Sequence, residues 1–522
     1  MPTRLQLLCL VLACVVGLAA VVVLGMTYAG RLSDHAGVYR VTVADEGPGA
    51  GALRRPRKTV VVVVDGLGYA EAQTMQALAG LAAHGQCRKT DVGSLSLSRP
   101  VYAVLSTGLE ADRNGVRFND DPSPLAADSL WDAARGGGYG VSAVSELPWW
   151  RELFPRGFDD YVLGEPAQNF FELAPPADIR LIHPLYVDEA GHMAGADSEQ
   201  YRSAVRRIDR ELGEFLNGGS VDLARDLVVV TADHGHSAGG GHGGRQDRVA
   251  HVLTCFAGAG VRRDPDGGAL QMTTVGPALA VLLGLRFPAD MRAGDDDLEA
   301  LWEIVDTAAL PAAYVGERRA AVERFRAENA ARLRAWSPDS AGSWDRFYAW
   351  HRGQQVIKVL PFVGLLALVL VVQAWAHRRR GRGGAFGALF VAAFAAVAWA
   401  LQVGLRGSFD LSAVAYREDF LAFTISLGLG WSAAAFGLHW LVRRDLAGLV
   451  VDVTALSLVG TILNIAHPVA CGWQLGFPVP PPAVFFFPYW SALFVGTTNG
   501  VGIVVWVAAA GRRYAAFGWR GG

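Results

Sequence analysis

KTVVVVVDG, residues 58–66, decides how the chain is read. Five consecutive valines between Lys58 and Asp65 have no polar side to turn toward water. The run therefore reads as a strand buried on both faces of a parallel sheet. Similar short apolar runs lie at 140–144, 179–187, 227–231 and 251–257. Helical patterns separate them, the clearest at Tyr201, Val205, Ile208, Leu212 and Phe215, whose spacings alternate between four and three. Strand alternating with helix predicts an α/β fold, a mostly parallel sheet with helices on both faces.

Open α/β sheets bind ligands beyond the carboxyl ends of their strands. Three such ends here carry Asp or His. Asp65 follows the valine run, and DEAGHMAG (188–195) places Asp188 and His192 after LIHPLYV (181–187). LVVVTADHGHSAGGGHGG (227–244) supplies Asp233, His234, His236 and His242. Asp and His ligate zinc and similar divalent ions, and the glycines at 66, 191, 235 and 239–241 let the backbone turn tightly around such a centre. Any one of these residues alone reads as a cap or loop residue. Asp65, Asp188, His192, Asp233, His234 and His242 on three strand ends read as a metal centre.

SLSLSRPVYAVLSTG, residues 94–108, offers a nucleophile. It predicts a helix with Ser98 as N-cap, Pro100 in the first turn and Gly108 past the end. A helix start presents free N–H groups to a phosphate. Capping alone is the commoner role of such a serine, and the spacing does not separate Ser98 from Ser94 and Ser96. Trp149 and Trp150 read as packing residues beside a strand end, with a pocket wall as the alternative.

The composition sets the frame around this block. Of 522 residues, 52% are hydrophobic and only 18% charged, against roughly 25% charged in soluble domains. That excludes a disordered chain and argues against a wholly soluble one. The net charge of −2 gives no electrostatic case for nucleic-acid binding. The five cysteines are too few and too scattered for a disulfide framework.

No charged residue occurs between Arg4 and Arg31, a run longer than the about 20 residues a membrane helix needs. A cleaved signal peptide is the competing reading, but its apolar core would be shorter. Residues 359–376, 383–405 and 420–442 also lack Asp, Glu, Lys and Arg, as does 453–511, which Pro478, Pro480, Pro481 and Pro482 divide into two spans. The count is six membrane helices. Arg378, Arg379, Arg380, Arg382, Arg443, Arg444, Arg512, Arg513 and Arg520 gather on alternate loops. By the positive-inside rule both termini are then cytoplasmic and residues 31–357 lie outside. Asp452 falls inside the fifth span, as a functional carboxylate or as a bundle hydrogen bond to Thr454, Asn464 or His439. The expected organisation is a membrane helix at 1–30, a catalytic domain at 31–300, a helical connector at 301–357 and a membrane domain of about five helices at 358–522.

The ordered blocks resemble the alkaline phosphatase superfamily over about 57–295, within it the nucleotide pyrophosphatase/phosphodiesterase branch. The resemblance implies an alkaline-phosphatase-like fold and two divalent ions, zinc foremost and manganese next. It implies that Asp188, His192 and His242 hold one ion, and that Asp65, Asp233, His234 and the Ser98 oxygen hold the other. Ser98 is then the nucleophile. Asn119, in NGVRFND and 21 positions after Ser98, is implied to bind a phosphoryl oxygen. TTVGPALAVLLGLRFPADM (273–291) is similar to the family's closing helix and loop. His236 stands where many relatives have Met and is not taken as a ligand; His251 is read as structural. Ser98-Arg99-Pro100-Val101-Tyr102 lacks the last Arg of the sulfatase pattern.

The layout of one span, a catalytic domain and a bundle of spans resembles the glycosylphosphatidylinositol ethanolamine phosphate transferases. Their nucleophile is usually Thr and their membrane region usually larger. The implied function is a membrane-anchored phosphoric ester hydrolase or phosphodiesterase acting through a covalent Ser98 intermediate. The alternative is a transferase of ethanolamine phosphate, or a similar head group, to a lipid-linked acceptor. The substrate is a phosphate ester in either case, and the surrounding membrane lipids are the other partner.

Overall fold

A computed structural model describes residues 42–45, 56–120, 123–291, 296–381, 385–471, 490–505, 507 and the isolated positions 19 and 23. The N-terminal span and the proline-rich segment 472–489 otherwise fall outside the described residues. Eight strands form one sheet in the order β4-β3-β5-β1-β6-β7-β2-β8. They are β1 (Thr59–Val63), β2 (Gly85–Asp91), β3 (Val141–Ser145), β4 (Asp160–Leu163), β5 (Ile179–His183), β6 (Leu227–Thr231), β7 (His251–Gly258) and β8 (Leu270–Gln271). Only β7 runs against the others, pairing antiparallel with β6 and β2. Every residue of β1, β3 and β6 is buried. Because successive side chains point to opposite faces, both faces of the sheet are covered. The sheet is mixed but mostly parallel.

Three features depart from the sequence reading. GQCRKTD (β2) is not among the expected strands; it carries three charges, and its Arg88 is buried with Glu303 and Asp264 paired to its guanidinium. Cys87 and Cys255, opposite one another on β2 and β7, form a disulfide that their spacing did not suggest. The apolar run 179–187 is a strand only to His183. Pro184 ends it, and the rest enters a helix.

Helices α1 (Ser98–Thr107), α2 (Tyr186–Ala194), α3 (Glu199–Asn217) and α4 (Val275–Leu283) surround the sheet. α4 is buried throughout and lies against α1. A Cβ on Gly276 would stand 2.4 Å from the Leu105 carbonyl oxygen, so this glycine permits the close approach. Trp131 Nε1 donates to Ser106 Oγ at 2.8 Å and fixes α1 from another side. Trp150 is fully buried and stacks on Tyr102 with centroids 4.3 Å apart, a packing role. Trp149 instead lies under the Arg99 guanidinium.

α5 (Ala312–Trp336) is tied to the domain by Arg318, which donates to both oxygens of buried Asp45 at 3.0 Å. α6 (Trp344–Arg378) then runs unbroken for 35 residues, and Arg113 stacks on Trp344 at its start. With α7 (Ala385–Arg406), α8 (Arg417–Arg443) and α9 (Leu446–Cys471) it makes four helices, among the described residues, long and apolar enough to cross a membrane. A shorter apolar helix spans Trp490–Val505. Val356, Ile357, Leu360, Val363, Leu368 and Val371 on α6 are more than half exposed, a surface that suits lipid better than water. Asp452, fully buried on α9, accepts from Gln373 at 2.8 Å and His377 Nε2 at 2.6 Å. Of the three partners expected for it, His439 alone is near, at 3.5 Å; Thr454 bonds the Val450 carbonyl and Asn464 bonds Ser491.

Candidate metal and phosphoester site

Strands β5, β1 and β6 are neighbours in the sheet, so their carboxyl ends bring Asp188, Asp65 and Asp233 to one place. Asp188 and His192 do not sit at the strand end itself, where the sequence reading had them. They sit four apart on α2, one turn of one helix face. Ser98 also differs from its expected place: Leu97 is the N-cap of α1, and Ser98 is its first helical residue. Its hydroxyl makes no capping bond and lies 3.2 Å from His234 Nε2.

His234 Nε2 also faces Asp65 Oδ1 at 3.5 Å and Asp233 Oδ2 at 3.3 Å. Both carboxylate oxygens are buried and have no hydrogen-bond partner. Such orphaned anions are costly in a protein interior unless a charge meets them. Two carboxylates, an imidazole and a hydroxyl that converge with two oxygens left out of any hydrogen bond fit a cation. Beside them, His242 Nε2 and His192 Nε2 stand 3.1 Å apart, with Asp188 Oδ2 3.5 Å from His192. Asp65, Asp233 and His234 form one group of potential ligands and Asp188, His192 and His242 another, each with donor atoms within 4.8 Å. The rings of His234 and His242 stack at 3.7 Å and join the two groups.

A third grouping by distance links Asp188, His234 and His236. Hydrogen bonding argues against His236 as a ligand. Its Nδ1 meets the Gly240 carbonyl at 2.8 Å and its Nε2 meets Asp188 Oδ1 at 2.8 Å. Both partners only accept, so both ring nitrogens carry protons. Burial works against that charge, but the Asp188 carboxylate outweighs it and raises the His236 pKa. His251 lies apart, against Asp247.

The other ionisable groups are tuned in opposite directions. Burial lowers His234 to about 4 despite Asp65 and Asp188. Burial, with His234 and His192, lowers His242 well below its ordinary value. Both are therefore neutral near pH 7, the form that ligates metal. Burial pushes Asp188 up, but the His236 hydrogen bond and the three nearby histidines hold it below the ordinary carboxylate range. Asp233 is raised by burial and by repulsion from Asp65 and Asp188, a repulsion that a cation relieves.

Behind Asp65 stands a layer the sequence reading missed. Tyr102 donates to Asp65 Oδ2 at 2.5 Å and contacts His183 Nε2 at 2.9 Å, while Ser145 holds His183 Nδ1 at 2.8 Å. Its only sequence signal was a histidine closing a buried strand. Asn119 lies at the start of α1, where its Oδ1 accepts from the Arg99 amide at 3.0 Å. That amide is therefore taken, and the helix start is less open than expected. Ser96 Oγ is committed to Gly243 and Gly244, which sets it apart from Ser98.

Residues 141–338 match the type I phosphodiesterase / nucleotide pyrophosphatase family. The match takes in Asp188, His192, Asp233, His234 and His242; Asp65, Ser98 and Asn119 precede it. It supports phosphoester hydrolase or transferase chemistry. No curated protein matches the chain. Among solved structures, the human ectonucleotide pyrophosphatase/phosphodiesterase 5 is similar at 13% identity and a TM-score of 0.39, covering 48% of this chain and 100% of its own. The murine protein is similar at 14% identity and 0.36, covering 44% and 96%. An alkaline phosphatase superfamily protein from Vibrio parahaemolyticus is similar at 16% and 0.37, covering 50% and 74%.

Proposed function

We propose that the chain is a membrane-anchored phosphodiesterase or phosphoric ester hydrolase that uses two divalent ions, zinc foremost, and Ser98 as nucleophile. The observation that carries this is the Ser98 hydroxyl, 3.2 Å from His234 and beside the two orphaned oxygens of Asp65 and Asp233. Asp65, Asp233, His234 and Ser98 would hold one ion, and Asp188, His192 and His242 the other. Bound divalent ions supply Lewis acidity, making hydroxyls acidic and offsetting charge on phosphoryl oxygens. Ser98 Oγ attacks phosphorus and the ester oxygen departs, leaving the phosphoryl group on Ser98 for a second nucleophile to remove. Asn119, whose Oδ1 accepts from the Arg99 amide, would donate from its NH₂ to the phosphoryl oxygens, where charge builds up.

The Cys87–Cys255 disulfide supports an oxidising, extracytoplasmic location for the domain. Replacing Ser98 with Ala and assaying an aryl phosphodiester tests the proposal. Turnover should fall by at least ~10³-fold; unchanged turnover would remove Ser98 from the mechanism.

A second reading, transfer of a phosphoryl head group to a lipid-linked acceptor, is favoured by Tyr416. This residue precedes α8 in the apolar bundle, and its ring lies 5.6 Å from that of His192. Product analysis with an added lipid hydroxyl acceptor separates the two readings: transfer yields the acceptor carrying the head-group phosphate, hydrolysis only the free head-group phosphate.

A further inference from the structure

The segment joining α7 to α8 belongs to the apolar bundle, yet it lies on the loop that carries His242. Ser412 Oγ accepts from the Gly244 amide at 2.9 Å, and the Ser412 carbonyl accepts from Ser237 Oγ at 3.3 Å. From the other side, Ser96 Oγ donates to the Gly244 carbonyl at 2.7 Å and accepts from the Gly243 amide at 3.0 Å. The 241–244 loop is thus gripped between a residue two before Ser98 and a residue of the bundle. A Cβ on Gly241 would lie 2.4 Å from the Ser412 carbonyl oxygen, and one on Gly243 2.7 Å from Leu411 Cβ. One on Gly244 would lie 2.4 Å from Ser412 Oγ. The glycines flanking His242 are needed for this docking as much as for any turn.

The segment is itself ordered by Asp410, whose Oδ1 accepts from the Ser412 amide at 2.9 Å. Ser412 is 2% exposed. Phosphoester chemistry does not by itself call for any of these contacts.

We propose that residues 410–416 are a positioning strap, through which Ser412 holds the 241–244 loop and keeps His242 aligned with His192. The apolar bundle is then part of the catalytic centre as well as its anchor. This rests on the Asp/His cluster binding cations, and the test separates the two claims.

Full-length protein in detergent, stripped of metal, is titrated with zinc against a competing chelator. The variants are Ser412→Ala, Asp410→Ala and Asp410→Asn, and hydrogen exchange is followed at the Gly244 amide. The strap requires Ser412→Ala and Asp410→Ala to weaken zinc binding ~10–100-fold, the usual scale for groups that orient ligands, and to speed exchange at Gly244. Asp410→Asn keeps the acceptor and should bind as wild type does. Variants that melt earlier but bind zinc as tightly as wild type overturn the strap and leave the cation site standing. Wild type that takes up no zinc overturns the cation site itself, and the strap with it.

Discussion

His236 Nε2 lies 2.8 Å from Asp188 Oδ1 while its Nδ1 meets the Gly240 carbonyl, so a charged imidazole ties a candidate ligand to the glycine-rich loop. A Cβ on Gly191 would fall 2.3 Å from the same ring, so α2 packs on it directly. His236→Ala removes the grip on Asp188 without removing a ligand. Zinc affinity is expected to drop ~10–100-fold, with bound metal still recoverable at high zinc, as measured by chelator competition.

Asn119 bonds α1 through its oxygen, and the proposed mechanism assigns its NH₂ to a phosphoryl oxygen. Asn119→Ala is expected to lower kcat by ~10²–10³-fold, the scale for losing one donor to a developing charge. Metal content should stay unchanged. A fall in metal content instead would assign Asn119 to the architecture of the site.

Glu146 follows β3, and its Oε1 accepts from the Leu185 amide at 2.8 Å. Burial, then the charges of Glu189 and Asp65, raise it from 4.5 to about 7. The unfolded chain releases this proton near 4.5 and the folded chain near 7. Holding it therefore costs stability as pH rises through that window, and the cost is complete above it. Glu146→Gln keeps the acceptor and removes the charge. Thermal melts should show the variant more stable than wild type at pH 8 and equal to it at pH 4.

Arg318 and Asp45 form a pair in which both side chains are almost fully buried. Arg318→Ala removes a buried counter-charge from the Asp45 carboxylate and is expected to cost about 3–5 kcal/mol. Denaturant unfolding of the full chain measures it. A change below about 1 kcal/mol would mean that the other groups around Asp45, Arg324 at 3.5 Å among them, take over the pairing.

Much of this was legible in the sequence because it was local. The valine run had to be a buried strand, and Asp233 and His234 had to follow β6. Asp188 and His192 were legible as residues but not as helix positions, since the apolar run 181–187 hides the break at Pro184. β2 was hidden because Arg88 is buried by partners some 176 and 215 positions away. Tyr102 behind Asp65, Gln373 and His377 on Asp452, and Ser412 on Gly244 all join distant segments. Periodicity and motif spacing do not carry such pairings.

The proposed chemistry needs two cations in the Asp/His cluster. Metal analysis by mass spectrometry on full-length protein, purified without chelator, tests this most directly, with Asp233→Asn and His242→Ala alongside. The expected result is about two divalent ions per chain in wild type and about one in each variant, because each variant loses a ligand of a different ion. Wild type with no bound divalent ion, or variants that keep both, would contradict it.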